Sequence, residues 1–364
     1  MIKMKRIGML TSGGDCQGLN AALHGVAKAL YESYDESDLE IYGICDGYRG
    51  LIEGDYRLMK REDFSGILCQ GGTILGTSRQ PFKLMRVVDE NSVDKVKAMK
   101  NNYKKLKLDC LVILGGNGTH KTANLLSQEG LNVVTLPKTI DNDIWGTDMT
   151  FGFQSAVDIA TNVLDCIHTT ATSHGRVFIV EIMGHKVGWL TLYAGIAGGA
   201  DIILIPEIPY DIDVVVEAIK GRVRSGKNFT ILAVAEGAIS REDAALTKKE
   251  LKEKKKNGPA YPSVAYALGA QIQEKTGQEI RVTVPGHMQR GGEPCPFDRV
   301  ISTRLGAAAA QMIKNEEYGY MVALNDSQIT KVPLEEIAGK LKTVDPNSDI
   351  IKEAKSVGIS FGDE

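Results

Sequence analysis

Two aspartates, Asp141 and Asp143, stand two positions apart just after an apolar run, and their spacing suits a shared reaction centre. The apolar run, residues 131–136, predicts a β-strand. In an extended segment residues i and i+2 point to the same side, so one carboxylate could take a proton while the other holds a metal ion. Lys138 and Thr139 add a positive charge and a hydroxyl, which suits a phosphoryl group in transfer, although an Asx-rich segment can also be only a turn.

Two glycine-rich turns each lie between a predicted strand and a predicted helix. Residues 12–15 follow the strand-like run 6–11, and a helical pattern covers residues 19–30. Residues 115–119 follow the strand-like run 110–114 and precede a helical stretch. Strand, glycine turn and helix together point backbone N–H groups and a helix N-terminus at a phosphate. With the aspartate segment, these turns predict a ligand site at the carboxyl edge of a parallel sheet.

The composition fits an ordinary globular enzyme. The chain has 364 residues, 43% of them hydrophobic and 24% charged, with a net charge of −3. That charge argues against general nucleic-acid binding, and no apolar run approaches the roughly 20 residues that span a bilayer. The six cysteines are scattered without a short ligand spacing, and a predicted strand begins almost at the N-terminus. We therefore expect reduced thiols, no signal peptide and a cytoplasmic location.

Strand-like runs alternate with helical stretches along the rest of the chain. Such alternation predicts βαβ units and mostly parallel sheets covered by helices. Further strand candidates are residues 41–45, 177–182, 202–205 and 229–234, and helical patterns cover residues 155–168 and 214–225.

A third region, residues 281–292, places two arginines and a histidine around a turn, which suits a phosphate ester. Together with the earlier loops it makes the chain closely similar to the 6-phosphofructokinase family. The matching segments, in the family's order between positions 11 and 299, are TSGGDCQGLNA, GGTILGTSR, GGNGT, PKTIDND, EIMGHKVGWL, VAEGA and GHMQRGG followed by FDR.

The resemblance implies an enzyme that phosphorylates the 1-hydroxyl of fructose 6-phosphate. Asp141 would be the general base that removes the hydroxyl proton, and Thr139 would contact the transferred phosphoryl group. Lys138 and Arg79 would complete the catalytic set, with Arg79 steadying charge during transfer. The implied donor-binding residues are Gly14, Arg79, Gln80, Gly116, Asn117, Gly118 and Thr119.

The resemblance also implies a magnesium site and a shared sugar-phosphate site. Asp143 would bind Mg²⁺ together with Asn117, which stands where many members have an aspartate and offers only an amide oxygen. In the family, arginines that match Arg176 and Arg281 reach a neighbouring subunit's sugar phosphate, so we expect a homo-oligomer, most often a tetramer. The implied substrate-binding residues are Thr139, Ile140, Asp141, Arg176, Met183, Gly184, His185, Glu236, Arg281, His287, Met288, Gln289 and Arg290.

Two positions bear on the identity of the phosphoryl donor. Gly118 matches the ATP-using branch, because the aspartate of pyrophosphate users would crowd the α-phosphate of ATP. Lys138 is instead typical of the pyrophosphate-using branch. The steric effect of the residue at position 118 outweighs the added charge at position 138, so ATP is the expected donor. A pyrophosphate-dependent enzyme and a kinase of a related sugar phosphate are the alternatives.

The fold that the resemblance implies is α/β, with two similar doubly wound domains, mostly parallel sheets and the active site in the cleft between them. Residues 1–152 with about 289–339 would bind the donor. Residues from about 153 to 288, with 340–364, would bind the sugar phosphate.

Overall fold

The computed structural model describes residues 4–87 and 94–364. The chain divides into two compact units. The first comprises Met1–Ser155 and Arg290–Lys342, and the second comprises Ala156–Gln289 and Thr343–Glu364. Each unit is thus built from two separate stretches of chain. Which ligand each unit binds stays a prediction.

Strands and helices alternate along the chain. Up to the end of the first stretch they are β1 (Lys5–Ser12), α1 (Leu19–Tyr31), β2 (Leu39–Ile44), α2 (Tyr48–Glu53), β3 (Tyr56–Met59), α3 (Lys95–Lys105), β4 (Cys110–Gly115), α4 (Asn117–Gln128) and β5 (Val133–Pro137). Next come α5 (Phe153–His174), β6 (Val177–Ile182), α6 (Trp189–Ala197), β7 (Ile202–Leu204), α7 (Ile212–Arg224), β8 (Thr230–Ala235), α8 (Arg241–Ala244), α9 (Lys248–Asn257), α10 (Val264–Thr276) and β9 (Ile280–Thr283). The remaining elements are α11 (Pro296–Lys314), β10 (Tyr320–Asn325), β11 (Gln328–Pro333), α12 (Leu334–Ile337) and α13 (Asp349–Ser356).

The first unit is organised around a seven-stranded sheet in the order β11-β10-β5-β4-β1-β2-β3. The five inner strands are parallel, and the two edge strands pair antiparallel. β1, β4 and β5 are buried along nearly their whole length, as expected for strands covered on both faces by helices. In a parallel sheet of this kind, ligands bind just beyond the carboxyl ends of the strands.

The central strands of this sheet end side by side. Ser12 at the end of β1 pairs with Gly115 at the end of β4. Gly115 pairs in turn with Pro137 at the end of β5. The two glycine turns and the aspartate segment therefore leave the sheet at one edge, in register.

Helix α11 belongs to the returning stretch of the first unit and packs closely on α1. A Cβ on Gly25 would lie 3.0 Å from the Thr303 backbone, and one on Gly306 would lie 2.7 Å from the Ala22 carbonyl oxygen. Glycine on both helices lets their backbones approach where any side chain would hold them apart. This packing joins residues after 290 to the N-terminal sheet.

The second unit is organised around a four-stranded parallel sheet in the order β7-β8-β6-β9. Its core is built from apolar side chains of the sheet and of helices α7 and α10, including Ile179, Leu232, Val215 and Leu268. β6 and β8 end together, because Ile182 pairs with Ala235. The residues that follow these two strands are therefore neighbours.

The fold predicted from the sequence is confirmed. Both sheets are wholly or mostly parallel and alternate with helices. The strand predicted at 177–182 has the observed bounds, and the helix predicted at 19–30 ends one residue later. All six cysteines are free. None of the helices among residues 4–87 and 94–364 is long and apolar enough to cross a membrane.

Asp298, in the FDR segment at the start of α11, holds the start of α5. Its Oδ2 accepts hydrogen bonds from the Ser155 amide at 2.8 Å and from the Ser155 hydroxyl at 2.5 Å. The side chain is fully buried, and burial raises the pKa of this carboxyl while the bonds from Ser155 lower it. The motif residue thus ties Ser155, the last residue of this stretch of the first unit, to the start of α11.

We expect Asp298→Ala to lower the free energy of unfolding by about 2–3 kcal/mol, because it leaves buried donors without an acceptor. Urea denaturation followed by circular dichroism measures the change. Asp349→Ala, an exposed aspartate in the first turn of α13, is the matched control and should stay within about 0.5 kcal/mol of the unmodified protein. Equal effects of the two changes would contradict the anchoring role.

Candidate active site

The glycine turn after β1 is held by a second loop, residues 77–79. Gly13 has a φ of +91°, a backbone conformation that favours glycine. Its amide donates to the Ser78 carbonyl at 3.1 Å, and its carbonyl accepts from the Thr77 hydroxyl at 2.7 Å. The loop that carries Arg79 is therefore fixed against the turn that carries Gly14.

Two guanidinium groups face Gly14. A Cβ on Gly14 would lie 3.1 Å from Nη1 of Arg290 and 3.4 Å from Nη2 of Arg79. Arg290 is itself fixed, since its Nη1 donates to the Asp15 carbonyl at 3.1 Å. Two convergent arginines beside a bare backbone turn make a concentrated positive site for anionic oxygens.

Lys138 connects all three loops at the sheet edge. Its amide donates to the Gly115 carbonyl at 3.0 Å, and its ammonium donates to the Gly14 carbonyl. The side chain is only 3% exposed. Burial lowers the pKa of Lys138 and the Arg290 charge adds to this, whereas the carboxylates of Asp141 and Asp143 are among the groups that oppose it.

The second glycine turn opens helix α4. Gly115 has no room for a side chain, because a Cβ there would lie 2.3 Å from Cγ2 of Thr119. Gly116 caps the helix, whose first residues are Asn117 and Gly118, so their amides lie at its N-terminus. A Cβ on Gly118 would meet no atom within 4 Å. This helix end is open to a phosphate, and a larger residue at 118 would project into open space.

The aspartate segment is a turn, so the expectation of an extended segment beyond β5 is wrong. The strand ends at Pro137, and Asn142 has a φ of +51° in the left-handed region. The Asn142 side chain fixes this bend by accepting from the Thr150 amide at 3.0 Å and donating to the Asp148 carbonyl at 3.2 Å. Asp141 and Asp143 are therefore placed by a side-chain-stabilised turn, and strand alternation does not apply to them.

Thr139 and Ile140 are buried under this turn. The Thr139 hydroxyl accepts from the Asp141 amide at 3.1 Å, and its carbonyl accepts from the Thr150 hydroxyl at 2.8 Å. Thr139 thus braces the residue predicted to be the base. Gln80, predicted to bind the donor, is half-buried directly after Arg79.

The two predicted metal ligands lie next to each other. Nδ2 of Asn117 donates to the Asp143 carbonyl at 3.4 Å and to the Lys340 carbonyl at 3.0 Å. Because the amide nitrogen of Asn117 makes these two bonds, the amide oxygen is the atom that can bind a metal. The residues fit Mg²⁺, which protein sites often bind through one or two carboxylates plus substrate phosphates. Among residues 4–87 and 94–364, no group of three or more His, Cys, Asp or Glu could form a cage made of protein ligands alone.

The predicted sugar-phosphate residues of the second unit gather where β6 and β8 end. Oε1 of Glu236 accepts from the amides of His185 at 2.7 Å and Gly184 at 3.3 Å. Oε1 of Gln289 accepts from the Met183 amide at 3.2 Å. The EIMGH, VAEGA and GHMQ segments therefore meet at one place, and φ values of +149° at Gly184 and +53° at His185 shape the turn.

Arg176 lies just before β6 and Arg281 lies near the start of the neighbouring strand β9, where the two form a separate pair. Both donate to the carboxylate of Glu279, and the Arg176 bond is 2.5 Å long. His287 and Met288 are exposed, Met288 to 68%. Glu279 was not predicted from the sequence, where nothing marks it out from other surface carboxylates.

Sequence reasoning also missed residues that position the loops. Asn20 accepts from the Ile74 amide at 2.8 Å and donates to the Gly71 carbonyl at 3.2 Å. Gln17 donates to the Gly291 carbonyl at 2.6 Å. Both side chains are buried, and the signal that could have revealed them is their polar character within an otherwise apolar helix start.

His120, in the first turns of α4, was also missed. Its Nδ1 lies 2.8 Å from the Gly116 carbonyl, and the residue is 2% exposed. Burial lowers the pKa of His120 to about 4, with a smaller contribution from the Lys138 charge, while the bond to Gly116 opposes the shift. The ring is therefore neutral at pH 7 and holds the cap of the glycine turn.

The chain matches the sequence pattern of one family, Phosphofructokinase, over residues 6–313. It is 57% identical to an ATP-dependent 6-phosphofructokinase of Spirochaeta thermophila, covering 99% of this chain and 98% of that protein. It is 46% identical to ATP-dependent 6-phosphofructokinase 3 of Bacteroides thetaiotaomicron, covering 98% of this chain and 100% of that protein.

Solved structures give the same fold. The Pichia pastoris phosphofructokinase in the T-state superposes with a TM-score of 0.77 at 31% identity, over 93% of this chain and 36% of that one. This chain thus spans about a third of the length of the yeast chain. A pyrophosphate-dependent phosphofructokinase from Marinobacter aquaeolei superposes with a TM-score of 0.80 at 20% identity, over 96% and 88% of the two chains, which shows the fold alone.

The buried neutral His120 predicts a pH-dependent stability. The unfolded chain takes up a proton on this ring near pH 6.5, whereas the folded chain does so only near pH 4. The contribution is therefore fully present above pH 6.5 and is lost as the pH falls towards 4, by about 3 kcal/mol in total. We expect His120→Gln to flatten the fall in unfolding free energy between pH 7 and 4.5, measured by urea denaturation. His174→Gln, at an exposed histidine, is the control, and an unchanged slope in His120→Gln would refute the assignment.

Proposed function

The chain belongs to the phosphofructokinase family, and from this membership we propose that it is an ATP-dependent 6-phosphofructokinase of glycolysis. It transfers the terminal phosphoryl group of ATP to the 1-hydroxyl of fructose 6-phosphate, giving fructose 1,6-bisphosphate. The observation that carries the proposal is the 57% identity, over nearly the whole length of both chains, to a protein named for this activity. The arginines and glycine turns at one sheet edge supply the matching chemistry.

We propose that the donor binds the first unit. The amides at the start of α4 and the guanidinium of Arg79 take the phosphates. Asp143 and Asn117 would hold Mg²⁺, which would supply positive charge against the donor phosphates. The buried Lys138 ammonium keeps the Gly14 loop in place and adds positive charge close to the site.

The general base is Asp141. It accepts the proton of the sugar's 1-hydroxyl as that oxygen attacks the phosphoryl group, and Thr139 orients the Asp141 backbone and contacts the moving group. Arg79, whose guanidinium faces Gly14, balances charge on the oxygens in transfer.

The sugar phosphate binds to the residues that gather in the second unit. Glu236, ordered by the amides of Gly184 and His185, accepts hydrogen bonds from sugar hydroxyls. The cationic residues of this unit proposed for the 6-phosphate are Arg176, Arg281 and His287. We further propose a cytoplasmic homo-oligomer, a tetramer by the family's usual form, in which Arg176 and Arg281 serve a neighbouring subunit.

ATP rather than pyrophosphate is the proposed donor. Gly118 faces open space, which leaves room for the nucleotide's α-phosphate beside the helix N-terminus. The Lys138 ammonium, which the sequence associates with pyrophosphate users, contacts the Gly14 carbonyl in this chain. A loop-bracing role of this kind is compatible with either donor.

Initial rates of fructose 6-phosphate phosphorylation with ATP and with pyrophosphate test the donor. We expect kcat/KM to favour ATP by at least about tenfold, or 1.4 kcal/mol of transition-state stabilisation. A preference for pyrophosphate would overturn the donor assignment.

Gly118→Asp sharpens this test. A carboxylate in the first turn of α4 fits the open space and suits the helix dipole, so the fold should stay intact. The variant should lose activity with ATP, since the new charge crowds the α-phosphate, and keep any rate seen with pyrophosphate. Equal ATP activity in both proteins would contradict the role of Gly118.

Asp141→Ser tests the base. We expect kcat to fall by roughly 10²–10⁴-fold, because no group remains to take the hydroxyl proton, while binding of fructose 6-phosphate changes little. Steady-state kinetics and calorimetric titration with fructose 6-phosphate measure the two quantities. Asp165→Ser, which removes an exposed carboxylate on α5, is the charge-matched control. Turnover of Asp141→Ser near that of the control would refute the assignment.

A further inference from the structure

We propose that Lys342 is a positioning residue that fixes the turn carrying Asp143, and that metal-dependent donor binding depends on it. The inference rests on the proposed function, because it concerns the Mg²⁺ site of that reaction. Lys342 belongs to no motif that the sequence singled out. It lies in a short segment after α12, residues 340–342, at the end of the first unit.

The backbone of this segment pairs with the Asp143 turn. Leu341 and Ile144 form an antiparallel bridge. Beside it, the Lys342 amide donates to the Asp143 carbonyl at 2.9 Å. The backbone of the predicted metal ligand is thus tied to a distant part of the sequence.

The Lys342 side chain closes the other end of the same turn. Its ammonium donates to the Thr147 carbonyl at 2.9 Å and to the Asp148 carbonyl at 2.7 Å. One residue therefore binds carbonyls at positions 143, 147 and 148. Asn142 bends the chain just before this span and donates to the same Asp148 carbonyl, so the lysine and the asparagine together fix the turn as a closed unit.

The same segment also reaches the second candidate ligand. The Lys340 carbonyl accepts from Nδ2 of Asn117 at 3.0 Å, which directs the amide nitrogen to the segment. The Lys340 side chain itself lies over the ring of Trp145, with Nζ 5.6 Å from the ring centroid. Residues that orient metal ligands in this way commonly matter nearly as much as the ligands.

The decisive comparison is Lys342→Met against Lys340→Met. Methionine keeps the apolar stem at 342 and the backbone bond to Asp143 but removes the ammonium. The control removes an equal charge two residues away and leaves the Lys340 carbonyl in place. Each protein is titrated calorimetrically with AMP-PNP, once with Mg²⁺ and once with EDTA, and the ratio of affinities gives the contribution of the metal.

We expect Lys342→Met to reduce this metal contribution by about tenfold, as for other residues that orient metal ligands. The affinity in EDTA, the KM for fructose 6-phosphate and the unfolding temperature should stay near those of the unmodified protein. Hydrogen exchange measured by mass spectrometry should speed up in peptides covering residues 140–150. Lys340→Met should keep the metal contribution.

Two results would overturn the inference. One is an unchanged metal contribution in Lys342→Met. The other is a weaker affinity in EDTA together with a higher KM for fructose 6-phosphate and a lower unfolding temperature. That combination would mean a purely structural role. Failure of the unmodified protein to phosphorylate fructose 6-phosphate with ATP would instead refute the proposed function, and the binding comparison would still report on Lys342.

Discussion

The two hydrogen bonds of Lys138 hold the candidate site together. Its amide bonds the turn after β4 and its ammonium bonds the turn after β1, while the residue itself follows β5. These bonds are possible because Ser12, Gly115 and Pro137 end their strands in register. An ammonium buried this deeply is tolerated only with such bonds and with nearby carboxylates, since burial alone disfavours its charge. One buried cation thus links the two glycine turns to the end of β5.

The loops around this cation are fixed by polar side chains in otherwise apolar positions. Asn20 holds the loop that leads to Arg79, and Gln17 holds the loop that follows Arg290. The close approach of α1 and α11 through Gly25 and Gly306 brings these partners within reach. Two guanidiniums can then face Gly14 without help from a ligand, which is preorganisation for anionic oxygens.

The aspartates are placed by a turn that side chains stabilise from both sides. Asn142 bends the chain, Thr139 braces the Asp141 amide, and residues 340–342 close the turn from outside. Such a turn fixes the backbone of both aspartates just beyond the end of β5. The separation of the proposed base, Asp141, from the proposed metal ligand, Asp143, fits phosphoryl transfer with metal assistance.

The sequence by itself determined the class of fold, the strands and helices around the site, and the family, because hydrophobic periodicity and ordered motifs are local signals. Strand 177–182 and the glycine turns came from such signals. The shape of the aspartate segment did not, since the bend at Asn142 depends on Thr150 and Asp148 further along the chain. The bond from Arg176 to Glu279 and the contacts of Lys342 likewise join residues far apart in the chain, which no short pattern connects. Only tertiary packing decides which buried polar groups meet, and each must find a partner there because water is excluded.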